Sequence, residues 1–281
     1  MLKQRIITAI VLLAILLPSI FYPSPQPFGL IAMVLIAAGA WEWSRLNGGG
    51  PFAALVTGAV CASMCAASWY WGLVDATPKL LWIIVGSGWV LLGAWLLRRG
   101  SVVWLKVPRV LRWCGGVLAL WAAWLAVLQA RTIGINFLFS VLVLVWVADI
   151  GAYFAGRAFG GRFFARKLAP SISPGKTWEG VCGGVLGVLL CAFAWRTWDA
   201  GGAMAQASIY TRLGGQGIAF MVLAVLFLTM MSVVGDLVES LFKRSAGVKD
   251  SSNLLPGHGG VLDRVDALLP ILPLAMVFAT L

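Results

Sequence analysis

Apolar runs close to the length that crosses a bilayer, about 20 residues each, follow one another along nearly the whole of this 281-residue chain and are separated by Gly, Pro and charge. Read as helical spans they fall at 6–22, 28–44, 53–74, 80–97, 113–130, 135–156, 180–198, 217–236 and 266–281. Inside hydrocarbon the backbone must bond to itself, so such runs become helices. The predicted fold is therefore an all-α integral membrane protein with about nine transmembrane helices. Composition agrees, at 61% hydrophobic and 11% charged, against about half and a quarter for soluble domains. Little chain is left over for a soluble unit, and no internal repeat is visible. Residues 1–281 read as one polytopic domain, with N-terminal spans in 1–134 and the chemistry-bearing spans and loops in 135–281. Met1 to Tyr22 has Lys3 and Arg5 ahead of an apolar run, as a secretory signal would, but Pro18 and Pro23 break it and no small-residue cleavage site follows. An uncleaved first span is the expectation.

The net charge of +11 does not point to nucleic acid, because the basic residues come in small groups between the spans, the pattern that sets membrane orientation. With nine spans, only Lys79, Arg131, Arg196 and Arg212 of the 21 Lys and Arg fall on the side opposite the N-terminus. The other 17 share the N-terminal side. Since cytoplasmic connections carry the excess of Lys and Arg, the N-terminus is predicted inside, the C-terminus on the opposite side, and the connections 157–179 and 237–265 together in the cytoplasm. Trp41, Trp43, Trp69, Trp71, Trp113, Trp195 and Trp198 sit near span ends and read as interfacial anchors. The five cysteines lie in or beside apolar runs with no zinc-type spacing, and are expected to be small buried side chains.

Seven of the ten acidic residues gather in two windows, 149–180 and 235–266. A chain that keeps carboxylates out of most of its length and places them beside Lys and Arg is assembling either a cation and anion site or two ordinary solvated loops. Asp236, Glu239, Ser240 and Lys243 recur at helical spacing, so one polar face should extend the eighth span beyond the hydrocarbon. Next come Lys249, Asp250, a Gly-rich turn with Gly257, His258, Gly259 and Gly260, and then Asp263, Arg264 and Asp266. The glycines permit close approach to a phosphate, while the two later aspartates could equally cap a helix. Hard oxygen donors with a single histidine favour Mg²⁺ over zinc. His258 alone is more often a structural hydrogen-bonder than a reactive group. In the other window Ser173, Lys176 and Thr177 open the seventh span as an anion site or a capped turn, preceded by Asp149, Tyr153 and Arg157 on the sixth.

The stretch Ser240-x-Phe242-Lys243-Arg244-x4-Lys249-Asp250-x-Ser252-x2-Leu255-Pro256-x-His258-Gly259-Gly260-Val261-x-Asp263-Arg264-Val265-Asp266 resembles the signature of the phosphatidate cytidylyltransferases (CDP-diacylglycerol synthases). Ser173-Pro174-Gly175-Lys176-Thr177-Trp178-Glu179-Gly180 and the Asp149 to Arg157 segment resemble that family's upstream segments, whereas the first five spans match in hydropathy only. The resemblance implies transfer of CMP from CTP to phosphatidate, giving CDP-diacylglycerol and pyrophosphate in phospholipid biosynthesis. It also implies Mg²⁺ with K⁺ beside it, a homodimer, and a bacterial inner-membrane location with the active site facing the cytoplasm. On this reading Asp236, Lys249, Asp250, Asp263 and Arg264 are catalytic candidates, and Asp236, Asp263 and Asp266 are metal candidates. Substrate-binding candidates are Arg157, Ser173, Lys176, Thr177, Lys243, Arg244, His258, Gly259 and Gly260. A CTP-dependent lipid kinase would need a base for its hydroxyl nucleophile and fits the signature less well. A transporter would place ionisable groups near midspan, and here they sit towards cytoplasmic span ends.

Overall fold

The computed structural model describes every residue except Met1, Ala203 and Met204, and the side chains of Leu2, Lys3 and Arg5, two of the basic residues used for orientation, lie outside the described set. Twelve helices run in the order α1 Leu2–Phe21, α2 Gln26–Leu46, α3 Pro51–Tyr70, α4 Lys79–Arg99, α5 Ser101–Lys106, α6 Arg109–Ile133, α7 Ile135–Phe159, α8 Trp178–Ala200, α9 Ile209–Gly215, α10 Ile218–Ser245, α11 Leu262–Val265 and α12 Leu268–Ala279. Among the described residues there are no β-strands, only two isolated bridges, Ala169 with Ser173 and Leu255 with Gly259.

Seven of these helices, α2, α3, α4, α6, α7, α8 and α10, are long and apolar enough to cross a membrane. Their outward faces carry large apolar side chains, among them Leu55, Leu91, Leu190 and Leu223, which water would not tolerate at this density. The protein is an integral membrane protein. The first and ninth predicted spans fall outside that set. The apolar part of α1 is Ile6–Phe21. The helix α12 has 12 residues and follows α11 through Asp266 and Ala267, both in the right-handed helical region. Every residue from Leu269 to Met276 is buried, and α4, α6 and α10 enclose α12. The third helix ends at Tyr70, four residues before the predicted limit, where Trp71 and Gly72 close it in a turn.

Packing also revises the tryptophans and cysteines. Trp71 and Trp198 are exposed, as anchors should be. Trp43 is buried and its indole N–H donates to the Arg112 carbonyl at 3.1 Å, while Trp113 donates to Thr57 and Trp195 to Asn136. A buried indole needs an acceptor, and these three serve as cross-helix ties. Cys61 and Cys65 are buried, but Cys114 and Cys182 are exposed and Cys191 is half-buried. Exposure on an outward helix face satisfies a small apolar group as well as the core does.

The closest helix pair is α7 with α8, where small residues let the backbones touch, as membrane interfaces require. A Cβ on Gly184 would lie 2.7 Å from the Ala148 carbonyl, and one on Gly151 would lie 2.7 Å from the Gly183 carbonyl. This contact fixes the end of α7 that bears Asp149 against the start of α8. Gly184→Val should therefore lower thermal stability in detergent by about 1–3 kcal/mol, as overpacking does, whereas Gly88→Ala, where a Cβ meets nothing within 4 Å, should be near neutral. Equal melting temperatures for the two variants would refute the close-contact role of the pair.

Candidate active site at the joined helix ends

The two charged windows meet. Lys176, in the loop before α8, forms an ion pair with Asp236 of α10, and Arg244 Nε donates to the Ile172 carbonyl at 3.2 Å. Between them lies a cavity of about 520 Å³ lined by Asp149, Tyr153, Arg157, Lys176, Thr177 and Asp236 among others. The Arg157 guanidinium donates to the Tyr153 hydroxyl at 2.8 Å. Thr177 caps α8 by accepting from Gly180 N at 3.1 Å, so its hydroxyl serves the helix start while facing the cavity. Ser173 shapes the loop through its backbone, donating to the Ala169 carbonyl and accepting from Lys176 N.

A second cluster stands beside the first. Lys243 Nζ lies 2.6 Å from Asp263 Oδ1 and also pairs with Glu239 one turn back on α10. The other oxygen of Asp263 accepts from Ser251 N at 2.9 Å, Ser251 Oγ at 2.9 Å and Gly260 N at 2.8 Å. Burial would raise this carboxyl, but the Lys243 ammonium and the Gly260 and Ser251 amides hold it down at about 2. Because the folded value is depressed, the stabilisation from Asp263 is complete above the ordinary carboxylate value near 4 and is lost as pH falls towards 2. Asp266 Oδ1 accepts from Ala267 N at 2.8 Å and lies within electrostatic range of Asp236 and Asp149.

Sequence reasoning overlooked Glu42. It is fully buried on α2 and accepts from Ser251 Oγ at 3.1 Å, Ser252 Oγ, Val261 N at 2.9 Å and Leu262 N at 2.8 Å. Its signal was present as the one carboxylate inside the second apolar run, where a lone acid must find donors. The loop turns sharply enough to reach it because Gly259 has φ +82°, and a Cβ on Gly260 would clash with Ser251 Oγ. His258 holds the turn through its backbone N–H, which donates to the Leu255 carbonyl at 2.8 Å, and its Nδ1 is buried without a partner.

The structure thus sorts the sequence candidates. Asp149, Arg157, Lys176, Thr177 and Asp236 line one cavity, and Lys243, Asp263, Gly259 and Gly260 form the scaffold beside it. Arg244 ties the two loops together. Lys249 and Arg264 are exposed, and Asp250 faces a different cavity. Among the described residues no three His, Cys, Asp or Glu side chains converge as a ligand set. Asp236 and Asp263 each carry a lysine instead.

The sequence profile of the cytidylyltransferase family matches residues 3–281. The chain belongs to that family. It is 40% identical over 284 residues to the phosphatidate cytidylyltransferase of Pseudomonas aeruginosa, covering 100% of this chain and 97% of that one. It is 36% identical over 302 residues to the enzyme of the same name from Haemophilus influenzae, covering 99% and 98%. With that of Bacillus subtilis it shares 41% identity over half of this chain and 46% of the other.

The donor networks give a prediction. Glu42→Gln and Asp263→Asn each put a donating amide NH2 in place of an accepting oxygen that faces backbone N–H groups, so each should destabilise the protein by about 1–3 kcal/mol and speed proteolysis at exposed Asn253 and Leu254. Lys176→Gln, which removes a half-exposed partner, should do neither. Thermal unfolding and limited digestion in detergent read both effects. Unchanged stability of Glu42→Gln would remove that carboxylate as the loop's support.

Proposed function

We propose that this protein is a phosphatidate cytidylyltransferase, transferring CMP from CTP to phosphatidate to give CDP-diacylglycerol and pyrophosphate. The observation that carries the reading is the Lys176 to Asp236 ion pair, which closes the two charged windows around one cavity at the ends of α7, α8 and α10. A water-soluble nucleotide and a lipid headgroup can meet there without either crossing the bilayer.

The chemistry suits those residues. A phosphate monoester has its second pKa near 6, so phosphatidate is mostly a dianion at pH 7 and needs no strong base. One of its oxygens attacks the α-phosphorus of CTP, forming a P–O bond as the bond to the β-phosphate breaks and pyrophosphate leaves. The barrier is repulsion between two polyanions, which positioned cations lower. Lys176 and Arg157 supply such charge in the cavity, and Tyr153 orients Arg157. Asp236, Asp263 and Asp266 are hard oxygen donors of the type that holds Mg²⁺, and the lysines on Asp236 and Asp263 mark where positive charge is needed. A bound divalent ion would supply Lewis acidity and charge neutralisation at the leaving pyrophosphate. CTP labelled in its α-phosphate, given with phosphatidate and Mg²⁺ to the purified protein, should label the lipid and release pyrophosphate. Labelled CDP in water with unlabelled lipid would instead identify a kinase, and unchanged CTP would reject both. Asp236→Asn should cut turnover at least about a hundredfold with little change in stability.

In this reading the protein sits in a bacterial inner membrane with nine crossings, α1 and α12 included, its N-terminus and cavity in the cytoplasm and its C-terminus outside. Support comes from the charge asymmetry and from Thr8 near the start of α1, whose hydroxyl donates to the Pro256 carbonyl at 2.9 Å. That bond sets the N-terminal end of the chain beside the signature loop. Cysteines placed at exposed Ser171 and Asn253, in a background lacking the native thiols, should react with impermeant reagents only after the inner face is opened. Labelling of either in intact cells would reverse the orientation.

A further inference from the structure

A second cavity, of about 670 Å³, sharing no lining residue with the first, lies between α2, α6 and residues 250–254. Three arginines line it, Arg45, Arg109 and Arg112, with Asp250 as its only acid. The other inner cations of the described structure are answered. Lys176 and Lys243 meet carboxylates, and the buried Arg131 donates to the carbonyls of Ile20 and Tyr22, both at 2.7 Å. Arg112 is different. It is 8% exposed, its Nε has no partner, its guanidinium lies over the Trp104 ring at 5.9 Å, and among the described residues its only side-chain hydrogen bond is a long one of 3.4 Å to Asn47 Oδ1. None of the three arginines forms an ion pair among the described residues.

An ordinary orientation signal would leave these cations in water. Arg45 and Arg109 are exposed and fit that account, but a buried guanidinium without a counter-charge is costly to keep. Three cations against one carboxylate leave the lining about two charges positive, which matches a phosphate group carrying about −1.5 to −2. The planar guanidinium fork is suited to phosphate oxygens, and Ser252 and Asn253 add neutral donors on the facing loop. The volume exceeds what a bare phosphate needs and leaves room for a nucleoside or glycerol moiety.

We infer that Arg45, Arg109 and Arg112 form a binding site for a phosphate-bearing anion, separate from the Lys176 and Asp236 cavity. The site stands on its own geometry and does not rest on the transfer reaction. Binding there bears on the loop that Glu42 and Asp263 hold, because Ser251 donates to both carboxylates and its neighbour Ser252 lines the cavity.

The test uses the full-length protein in neutral detergent with EDTA, so that no turnover occurs, and reads thermal stabilisation against ligand concentration. The probes are inorganic phosphate, CTP, and dioctanoyl phosphatidylglycerol with dioctanoyl phosphatidylcholine as the zwitterionic control. Wild type and Lys176→Gln should both be stabilised by at least one anionic probe. The double variant Arg45→Gln/Arg109→Gln, altered at exposed positions, should need at least tenfold more of that probe. Response to CTP identifies a nucleotide as the source of the phosphate, and response to phosphatidylglycerol alone identifies a lipid headgroup. If the double variant responds to every anion as wild type does, or if no anion stabilises the wild type, the site does not exist. A protein inactive towards phosphatidate would still give these results, so failure of the catalytic assignment would be seen separately.

Discussion

A carboxylate buried on a membrane helix without a cation to meet it is the constraint on which the rest of this site depends. Glu42 lies inside α2, and four donors from the signature loop converge on it. Leaving such a group unmet would cost several kcal/mol, so the loop cannot move off without exposing that cost. Ser251 then carries the order onward, since its backbone N–H and its hydroxyl both donate to Asp263. Asp263 in turn fixes Lys243, and Lys243 fixes Glu239. A glycine-rich segment with little apolar surface of its own is made rigid by charge-assisted hydrogen bonds anchored more than two hundred residues earlier in the chain.

The other half of the site gains its rigidity from close packing. Glycines at the contact of α7 and α8 bring the two backbones together, and the cavity opens where that contact ends, at Gly156 and Gly180. Asp149 and Arg157 project from one helix while Lys176 and Thr177 enter the other. The long helix α10 extends past the apolar stretch to present Asp236 to the first cluster and Glu239 and Lys243 to the second. A straight helix of 28 residues thus couples a loop held by hydrogen bonds to a loop held by packing.

How much of this could be read from the sequence follows from what each signal encodes. Apolar runs placed nine helices to within a few residues at most ends, because hydropathy and length decide whether a segment is helical in lipid. They could not say which apolar helix is enclosed by protein, as α12 is by α4, α6 and α10. The charged windows were legible because carboxylates are rare in this chain, and the expectation that they share a site agrees with the Lys176 to Asp236 and Arg244 to Ile172 contacts. The partners within them were not legible. Lys243 was read as a phosphate ligand, yet it is engaged by Glu239 and Asp263, since pairing across helices depends on packing distances that no spacing rule contains. Glu42 and Arg112 were passed over for a related reason. Glu42 lies inside the second apolar run and Arg112 at the edge of the fifth, where it counted only towards orientation, and only burial reveals that each must be answered by something.

The two cavities differ in how their charge is met, and that difference bears on how a polyanion could be handled at a membrane face. Around Lys176 and Asp236 two cations, Lys176 and Arg157, share the lining with two carboxylates, Asp149 and Asp236, so it is near neutral and a phosphate arriving at Lys176 must displace or share an existing partner. That arrangement favours binding that strengthens as charge shifts during reaction, since the interactions are poised and not already spent on the ground state. Around Arg112 no cation has a carboxylate partner among the described residues, Arg45 and Arg112 lying over the Trp41 and Trp104 rings instead, and an anion would be held by attraction alone. Charge without a carboxylate partner draws anions in, and paired charge responds to changes within them, so the two linings are suited to different stages of handling a phosphorylated ligand.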